Sequence, residues 1–464
     1  GLNGSLITDG VLKKVSDDAT VVAIPNDVKK IEDSAFKNHT KLVSVTIPNN
    51  TVTEIGANAF EGCTSLTSIN LPYSVKKIGK DAFKGCINLT KVTVKNPECV
   101  FAALNSEEEV KEDNTFPNST TLYGFKGSTA ETYASQVTKT FRAITDIEDD
   151  FFMNETSMKE FVIPDNVVTL GNNAFKNCTN LEKVNLANVN IIGDYAFQND
   201  AVKEIVIPKT VGSIGKFAFD SCEALKKLSF EEDSICSSIG ESAFSKCKLL
   251  EAGTNASNKN ENVLFIPETV KTIGKEAFFG DDKIGQIDIN GMDTEIAETS
   301  AIPKTTKVGC YADSKAYKFA DTNKYLIALF VGFDADGVTD VKKDYQSSET
   351  IFTVAFGPNI EKISDAAFRN CSNLSEIWIG GRDGETKLRE IGNEAFLGCS
   401  ELEKVVVSDY DNKLDVIGDK AFAKCTSLVS VDMPNTPILS SIGSEAFNEC
   451  SALSEILVYN PNCN

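Results

Sequence analysis

One short string recurs along this chain: an aliphatic residue, Gly, two variable residues, Ala-Phe, two more variable residues and, most often, Cys. Thirteen Phe residues anchor it: Phe36, Phe60, Phe83, Phe152, Phe175, Phe197, Phe219, Phe244, Phe278, Phe368, Phe396, Phe422 and Phe447. Twelve follow Ala, with Phe151 in that place before Phe152, and ten have Ile-Gly or Leu-Gly upstream, as at Ile78-Gly79 and Leu170-Gly171. Where copies run uninterrupted, Phe follows Phe after 22 to 25 residues. A fixed period of this length is the strongest constraint on the fold, because one such unit cannot bury its apolar face alone and must stack on its neighbours. The 464 residues also exceed what one hydrophobic core usually supports.

The period lies in the range of leucine-rich repeats. After each Phe comes a second block, such as Leu66-Thr67-Ser68-Ile69-Asn70-Leu71-Pro72, whose last apolar positions alternate as in a strand. The reading is a leucine-rich-repeat solenoid, a right-handed curved coil of mostly short parallel strands. Each coil contributes one strand, a turn at the Pro, and a tight non-strand return of turn or short helix through Ile-Gly-x-x-Ala-Phe. The Gly suits a sharp turn and the Ala a close backbone approach. The Phe fills the space between the strand side and the return side.

Nine of the 13 cysteines fall three residues after the anchoring Phe: Cys63, Cys86, Cys178, Cys222, Cys247, Cys371, Cys399, Cys425 and Cys450. Other copies place His39, Glu155, Asp200 or Asp281 there. Such a slot reads as a structural column of free thiols, since Cys suits a tight, half-polar turn. Disulfides between stacked coils and metal binding are the alternatives, although no Cys-x-x-Cys pair supports zinc. His39 is the only histidine, which weighs against Ser-His and Cys-His catalysis and against His-based metal sites. No metal or cofactor is expected, and the chain reads as no enzyme.

Two stretches break the period and resemble each other at an offset of 186 residues: Leu122-Tyr123-Gly124-Phe125 through Ala134, and Val308-Gly309-Cys310-Tyr311 through Ala320. Each reads as a strand, a turn and a short helix N-capped by Ser128 or Ser314, then a further strand, Phe141 to Ile144 or Tyr325 to Val331. Such modules suit the end of an array, where an apolar face needs cover. The expected division is an array over 1–95, a cap-like module over 96–146, an array over 147–292, a second module over 293–333 and an array over 334–464. Because each module ends in a strand that could extend the sheet, the arrays are expected to run on continuously. Leu457-Val458-Tyr459-Asn460-Pro461-Asn462-Cys463 matches the run into the first module, so the sequence is expected to stop where a third would begin.

A net charge of -21 argues against nucleic acid and against docking on an anionic membrane. The longest apolar run, Tyr325 to Phe333, is about half of the roughly 20 residues a membrane helix needs. Gly1 in place of Met points to a processed or engineered start.

The unit Ile-Pro-x-x-Val-x-x-Ile-Gly-x-x-Ala-Phe-x-x-Cys, as at Ile207-Pro208 through Cys222, resembles that of the BspA-like leucine-rich-repeat family of bacterial surface proteins. The Leu-Tyr-Gly-Phe-Lys-Gly-Ser-Thr-Ala run at 122–130 does so too. The departures are the degenerate copy at Phe152, the insertion between Cys247 and Ile266, and the irregular stretch from Asp334 to Thr350. The resemblance implies an exported protein on the surface of an anaerobe, with no catalytic residues to carry over. It also implies adhesion to host matrix proteins or to other bacteria. Glycan binding or envelope scaffolding is a separate, alternative reading. Free thiols outside the cell fit an anaerobic setting.

A solenoid binds partners on its concave sheet. The strand register turns Trp378, Glu376, Val406, Phe265 and Asp288 outward as candidate contacts. Trp378 is the only Trp, pointed outward by Ile377 and Ile379, and is either covered by 334–350 or forms a contact. Clustered outward aromatics would favour glycans, but this register shows only one clear aromatic. Partners are expected to be proteins, with a monomer favoured. Asp334, Asp336 and Asp340 look like part of a calcium loop but lack the flanking helices and closing Glu of an EF-hand, so an acidic surface loop is the default; Asp409, Asp411 and Asp415 are read the same way.

Overall fold

The computed structural model describes residues 4–102, 113–252, 263–333, 336–342, 345–380, 386–407, 413–433, 436 and 438–458. It is a parallel-strand solenoid of the leucine-rich-repeat type. Each coil carries two strands, not one. The longer follows the Leu66-type position: Ser44–Thr46, Ser68–Leu71 and Lys91–Val94 in successive coils. The shorter is the residue pair that precedes the repeat Gly, as in Glu54–Ile55 and Lys77–Ile78, or the Glu32 that replaces it after Lys30–Ile31. The shorter strands pair in parallel from coil to coil, and so do Ser68–Leu71 and Lys91–Val94 among the longer ones. The expected non-strand return is thus corrected. In these pairs the Ile is buried and its neighbour faces outward, an alternation too short to recognise by period.

The Gly has a different role from the one its sequence context suggests. A Cβ on Gly215 would lie 2.5 Å from the Gly193 carbonyl carbon of the coil before, and one on Gly193 2.6 Å from that of Gly171. Close stacking of coils requires Gly here. The left-handed residue of the turn stands two positions later, with φ of 55° at Asn58, 56° at Asp81 and 55° at Asn173. Asn and Asp are the non-glycine residues that tolerate this conformation best.

The Phe side chains form stacked ladders. Phe36, Phe60 and Phe83 follow at ring-centroid distances of 4.6 and 5.0 Å. Phe175, Phe197 and Phe219 follow at 5.0 and 5.1 Å, and Phe396, Phe422 and Phe447 at 5.2 and 5.4 Å. Phe152, in the degenerate copy, still stacks on Phe175 at 5.0 Å. Two rungs lie outside the Ala-Phe motif: Phe116 stacks on Phe83 at 5.2 Å, and Tyr345 on Phe368 at 5.1 Å. Part of the stretch read as irregular therefore forms a coil.

The chain divides into two compact units, Gly1–Leu225 with Ala243–Lys248, and Lys226–Ser242 with Leu249–Asn464. In the first unit the longer strands Ser68–Leu71, Lys91–Val94, Thr121–Gly124 and Thr140–Ala143 form a four-stranded sheet with Thr140–Ala143 at its edge. In the second unit, nine strands run in order: Val263–Ile266, Gln286–Ile289, Lys307–Tyr311, Ile327–Val331, Ile351–Phe356, Glu376–Ile379, Lys404–Val407, Ser430–Met433 and Glu455–Val458. Two helices, Thr129–Gln136 and Lys315–Thr322, bridge the strands of the modules and are N-capped by Ser128 and Ser314. No helix among the described residues is long and apolar enough to cross a membrane.

Candidate functional site

The repeat columns separate structural chemistry from anything that could face a partner. Each of the nine column thiols donates to the carbonyl at the Phe position of the preceding coil, at 3.0 to 3.3 Å, from Cys63 to Phe36 through Cys450 to Phe422. In one of these the acceptor is the Tyr345 carbonyl, reached by Cys371. The twelve described cysteines are free thiols, all but Cys450 buried. Burial pushes the Cys371 and Cys236 thiols up to about 11, which leaves little thiolate for nucleophilic work.

His39 takes the same place, with Nε2 3.1 Å from the Val15 carbonyl of the preceding coil. Asp200 accepts from the Cys178 N–H at 2.7 Å, and burial raises its carboxyl well above the usual range. The one histidine and the Asp200 carboxylate are thus tied into coil-to-coil bonding. Among the described residues no group of three His, Cys, Asp or Glu side chains could hold a metal ion.

The outward face of the nine-stranded sheet carries the candidate contacts. Trp378 and Glu376 stand on one strand, and Val406 is the lateral neighbour of Trp378 on the next. The indole Nε1 donates to Glu376 Oε2 at 3.1 Å, and Lys404 Nζ lies 5.5 Å from the ring centroid. Trp378 remains 43% exposed, so the described part of 336–350 does not cover it. Phe265 and Asp288 are lateral neighbours of each other, with three strands between the strand of Asp288 and that of Trp378. Asp288 keeps the outward register but is only 4% exposed. Its partner position on the next strand is Gly309, and the space a Cβ would need there holds the Asp288 carboxylate and the Phe330 ring. Gln286 Nε2 donates to Asp288 Oδ1 at 2.6 Å.

The intervening strands overturn the expectation of a single outward aromatic. Tyr311 and Phe330 are lateral neighbours with ring centroids 5.8 Å apart, and Phe333 meets them at 6.0 and 6.2 Å. Lys307 Nζ lies 3.7 Å from the centroid of Phe352. Burial lowers the pKa of that ammonium, with Glu376 pulling it back up. Register then links one row across five strands: Tyr311, Phe330, Ala355, Trp378 and Val406. Alternation around Val308, Cys310 and Leu329 carries the signal for Tyr311 and Phe330. It goes unused when the module is taken for a cap and not for part of the sheet.

Of the acidic loop, Asp334 lies outside the described residues, as do Asp409 and Asp411. The Asp336 carboxylate accepts from the backbone N–H groups of Gly332 and Val338 at 2.8 and 2.9 Å, and burial raises its pKa. Asp340 is exposed on the strand Asp340–Val341. Asp336 therefore closes its own loop. Asp415 accepts from the Ser440 hydroxyl on the neighbouring coil.

A family model described as the BspA type leucine-rich-repeat region matches the chain in six copies, over residues 7–108, 145–262, 254–302 and 341–463. Among curated proteins there is no match. Solved structures similar to the chain include a leucine-rich repeat protein from Bacteroides ovatus and a leucine-rich cell surface protein from Faecalibacterium prausnitzii. Each is 21% identical over 97% of this chain and 92% of the other, with TM-scores of 0.23 and 0.22. The pneumococcal vaccine antigen PcpA is 15% identical over 95% of this chain and 79% of its own, with a TM-score of 0.21.

Proposed function

This chain belongs to the BspA-type leucine-rich-repeat family, and from that premise we propose that it is a non-enzymatic protein of the bacterial cell surface that binds other proteins, in adhesion to host matrix or in aggregation between bacteria. The observation that carries the reading is the outward row of Tyr311, Phe330, Ala355, Trp378 and Val406. Interface hot spots are enriched in Trp and Tyr set among packed neighbours, and the row offers both. Its column cysteines and its histidine are committed to the fold, which leaves the face and not a pocket as the working surface.

Trp378, Glu376 and Val406 form the centre of the contact, with Phe265 at its far side, while the buried Asp288 supports the face from beneath. The same clustering of rings supports a second reading, a glycan platform. A pull-down with immobilised matrix proteins beside a glycan array separates the two. Trp378→Ala is expected to abolish capture of the bound class while leaving the thermal unfolding midpoint unchanged. Undiminished capture by that variant would remove the row from the function.

A further inference from the structure

We propose that the occupant of this row is a proline-rich segment in the polyproline II conformation, lying across the strands. The inference rests on the protein-binding reading and names the partner's chemistry. The row lies in the middle of a sheet. The strands of Tyr311, Phe330, Ala355, Trp378 and Val406 each pair on both sides, so none presents a free edge to a partner strand. What the face offers is side chains, arranged as ridge, groove and ridge.

Phe330 and Trp378 are the ridges, and Ala355 between them is the groove. Two strand spacings separate the backbone positions that carry the ridges, about 9.6 Å. A polyproline II helix has three residues per turn and repeats every ~9.3 Å. One turn therefore reaches from ridge to ridge with a pyrrolidine ring above Ala355. The whole row spans four spacings, about 19 Å, room for about six such residues.

The polar chemistry agrees. Prolines present carbonyl acceptors and no N–H donors. The groups beside the row include the matching donors: the Trp378 indole N–H, the Tyr311 hydroxyl, and the Lys307 and Lys404 ammonium groups that lie over Phe352 and Trp378. When the indole N–H turns to a proline carbonyl, Glu376 is released to accept a Lys or Arg of the segment. Asp432, the lateral neighbour of Val406, stands ready for another, and the net charge of -21 favours a basic partner. A preformed polyproline II helix also loses little conformational entropy on docking.

The test is calorimetric titration of the whole chain with a twelve-residue peptide of Lys-Pro-Pro repeats, a Lys-Gly-Gly peptide of equal charge, and cellohexaose. Trp378, as the only Trp, gives an independent fluorescence reading. The Pro peptide is expected to bind saturably and shift the Trp emission, with the Gly peptide at least about tenfold weaker. Ala355→Arg fills the groove and should weaken binding by about tenfold or more. Ala355→Leu is the milder second variant, and circular dichroism confirms the fold of each. Equal binding of the two peptides, indifference to both Ala355 variants, binding of cellohexaose alone, or no binding of any probe overturns the proposal. Trp378-dependent capture of a matrix protein without Pro-peptide binding sinks this inference and leaves the protein-binding reading standing.

Discussion

The two strand–helix–strand modules start from sequences that resemble each other and end in opposite situations. In the first, the strand Thr140–Ala143 is the edge of its sheet. The chain then turns aside, and the next coil packs against the turns of the coils before the module. Asn49 Nδ2 donates to the Met153 carbonyl at 2.8 Å, the Asn50 N–H donates to Glu155 at 3.0 Å, and Tyr73 meets Phe152 and Phe161 edge-on at 6.1 and 6.3 Å. Phe125 plugs this seam, with Phe161 at 5.3 Å and Phe151 and Phe152 at 6.0 Å. In the second module, the strand Ile327–Val331 pairs onward with Ile351–Phe356, and the sheet does not end. Tyr311, which aligns with Phe125, stays at the outward face. The module is therefore not a cap by nature. Whether it ends a sheet depends on what the next coil does, and the aromatic at this one position either seals a seam or joins a surface.

The largest expected effect breaks the pair apart at that position. Phe125→Ala removes a ring that is fully buried among three others and should cost about 3–5 kcal/mol. Tyr311→Ala removes a ring that is only partly buried and should cost less than about 1 kcal/mol. Urea unfolding of the two variants measures both. Equal losses would mean that Tyr311 is as structural as its counterpart, and the outward row would lose its first member.

A second measurement sharpens the seam alone. Lys95 donates to the Phe151 carbonyl and lies 4.4 Å from that ring's centroid. Burial lowers its pKa to about 8 from the ordinary lysine value of 10.5, with Glu155 and Glu148 opposing. Because the folded chain holds this proton less tightly than the unfolded chain, the unfolded state binds more protons between those two values. Stability should therefore rise with pH across that window. Relative to Lys95→Met, the native chain should gain unfolding free energy from pH 8 to pH 10.5 and gain nothing between pH 6 and 7. A flat difference across the window would place the ammonium in water and leave the seam without it.

How much of this could be read beforehand follows from what each feature depends on. The Ala-Phe rungs depend on local repetition, so their period exposes them. Phe116 and Tyr345 occupy the ladder without Ala because stacking asks only for a flat ring at that point in the coil. The two-residue strands are legible only as part of a sheet built by other coils. The Gly of the Ile-Gly string reads as a turn residue, because its partner in the close approach lies about one period away, where no local turn rule reaches. Trp378, Glu376 and Val406 come together because strand alternation fixes facing, as does Asp288. Alternation says nothing of Gly309 on the next strand, whose missing side chain lets that carboxylate fold down against Phe330. The divergent fates of Phe125 and Tyr311 are tertiary, set by residues near 150 and 350 that the aligned segments do not contain.

The smallest expected effect lies in the helix caps, where the modules are most alike. Ser314 Oγ accepts from the Tyr317 N–H at 3.0 Å, while Ser128 Oγ accepts from the Glu131 N–H at a longer 3.4 Å. The first module has a second device: the Glu131 carboxylate accepts from the Gly127 N–H at 2.6 Å and adds negative charge at the helix start. Tyr317 at the matching place supplies neither. Ser314→Ala should therefore cost about 1 kcal/mol, and Ser128→Ala only a few tenths. The double change Ser128→Ala with Glu131→Tyr should bring the first module to the cost of the second. If Ser128→Ala alone already equals Ser314→Ala, the carboxylate contributes nothing, and the modules differ only in what their outer strands meet.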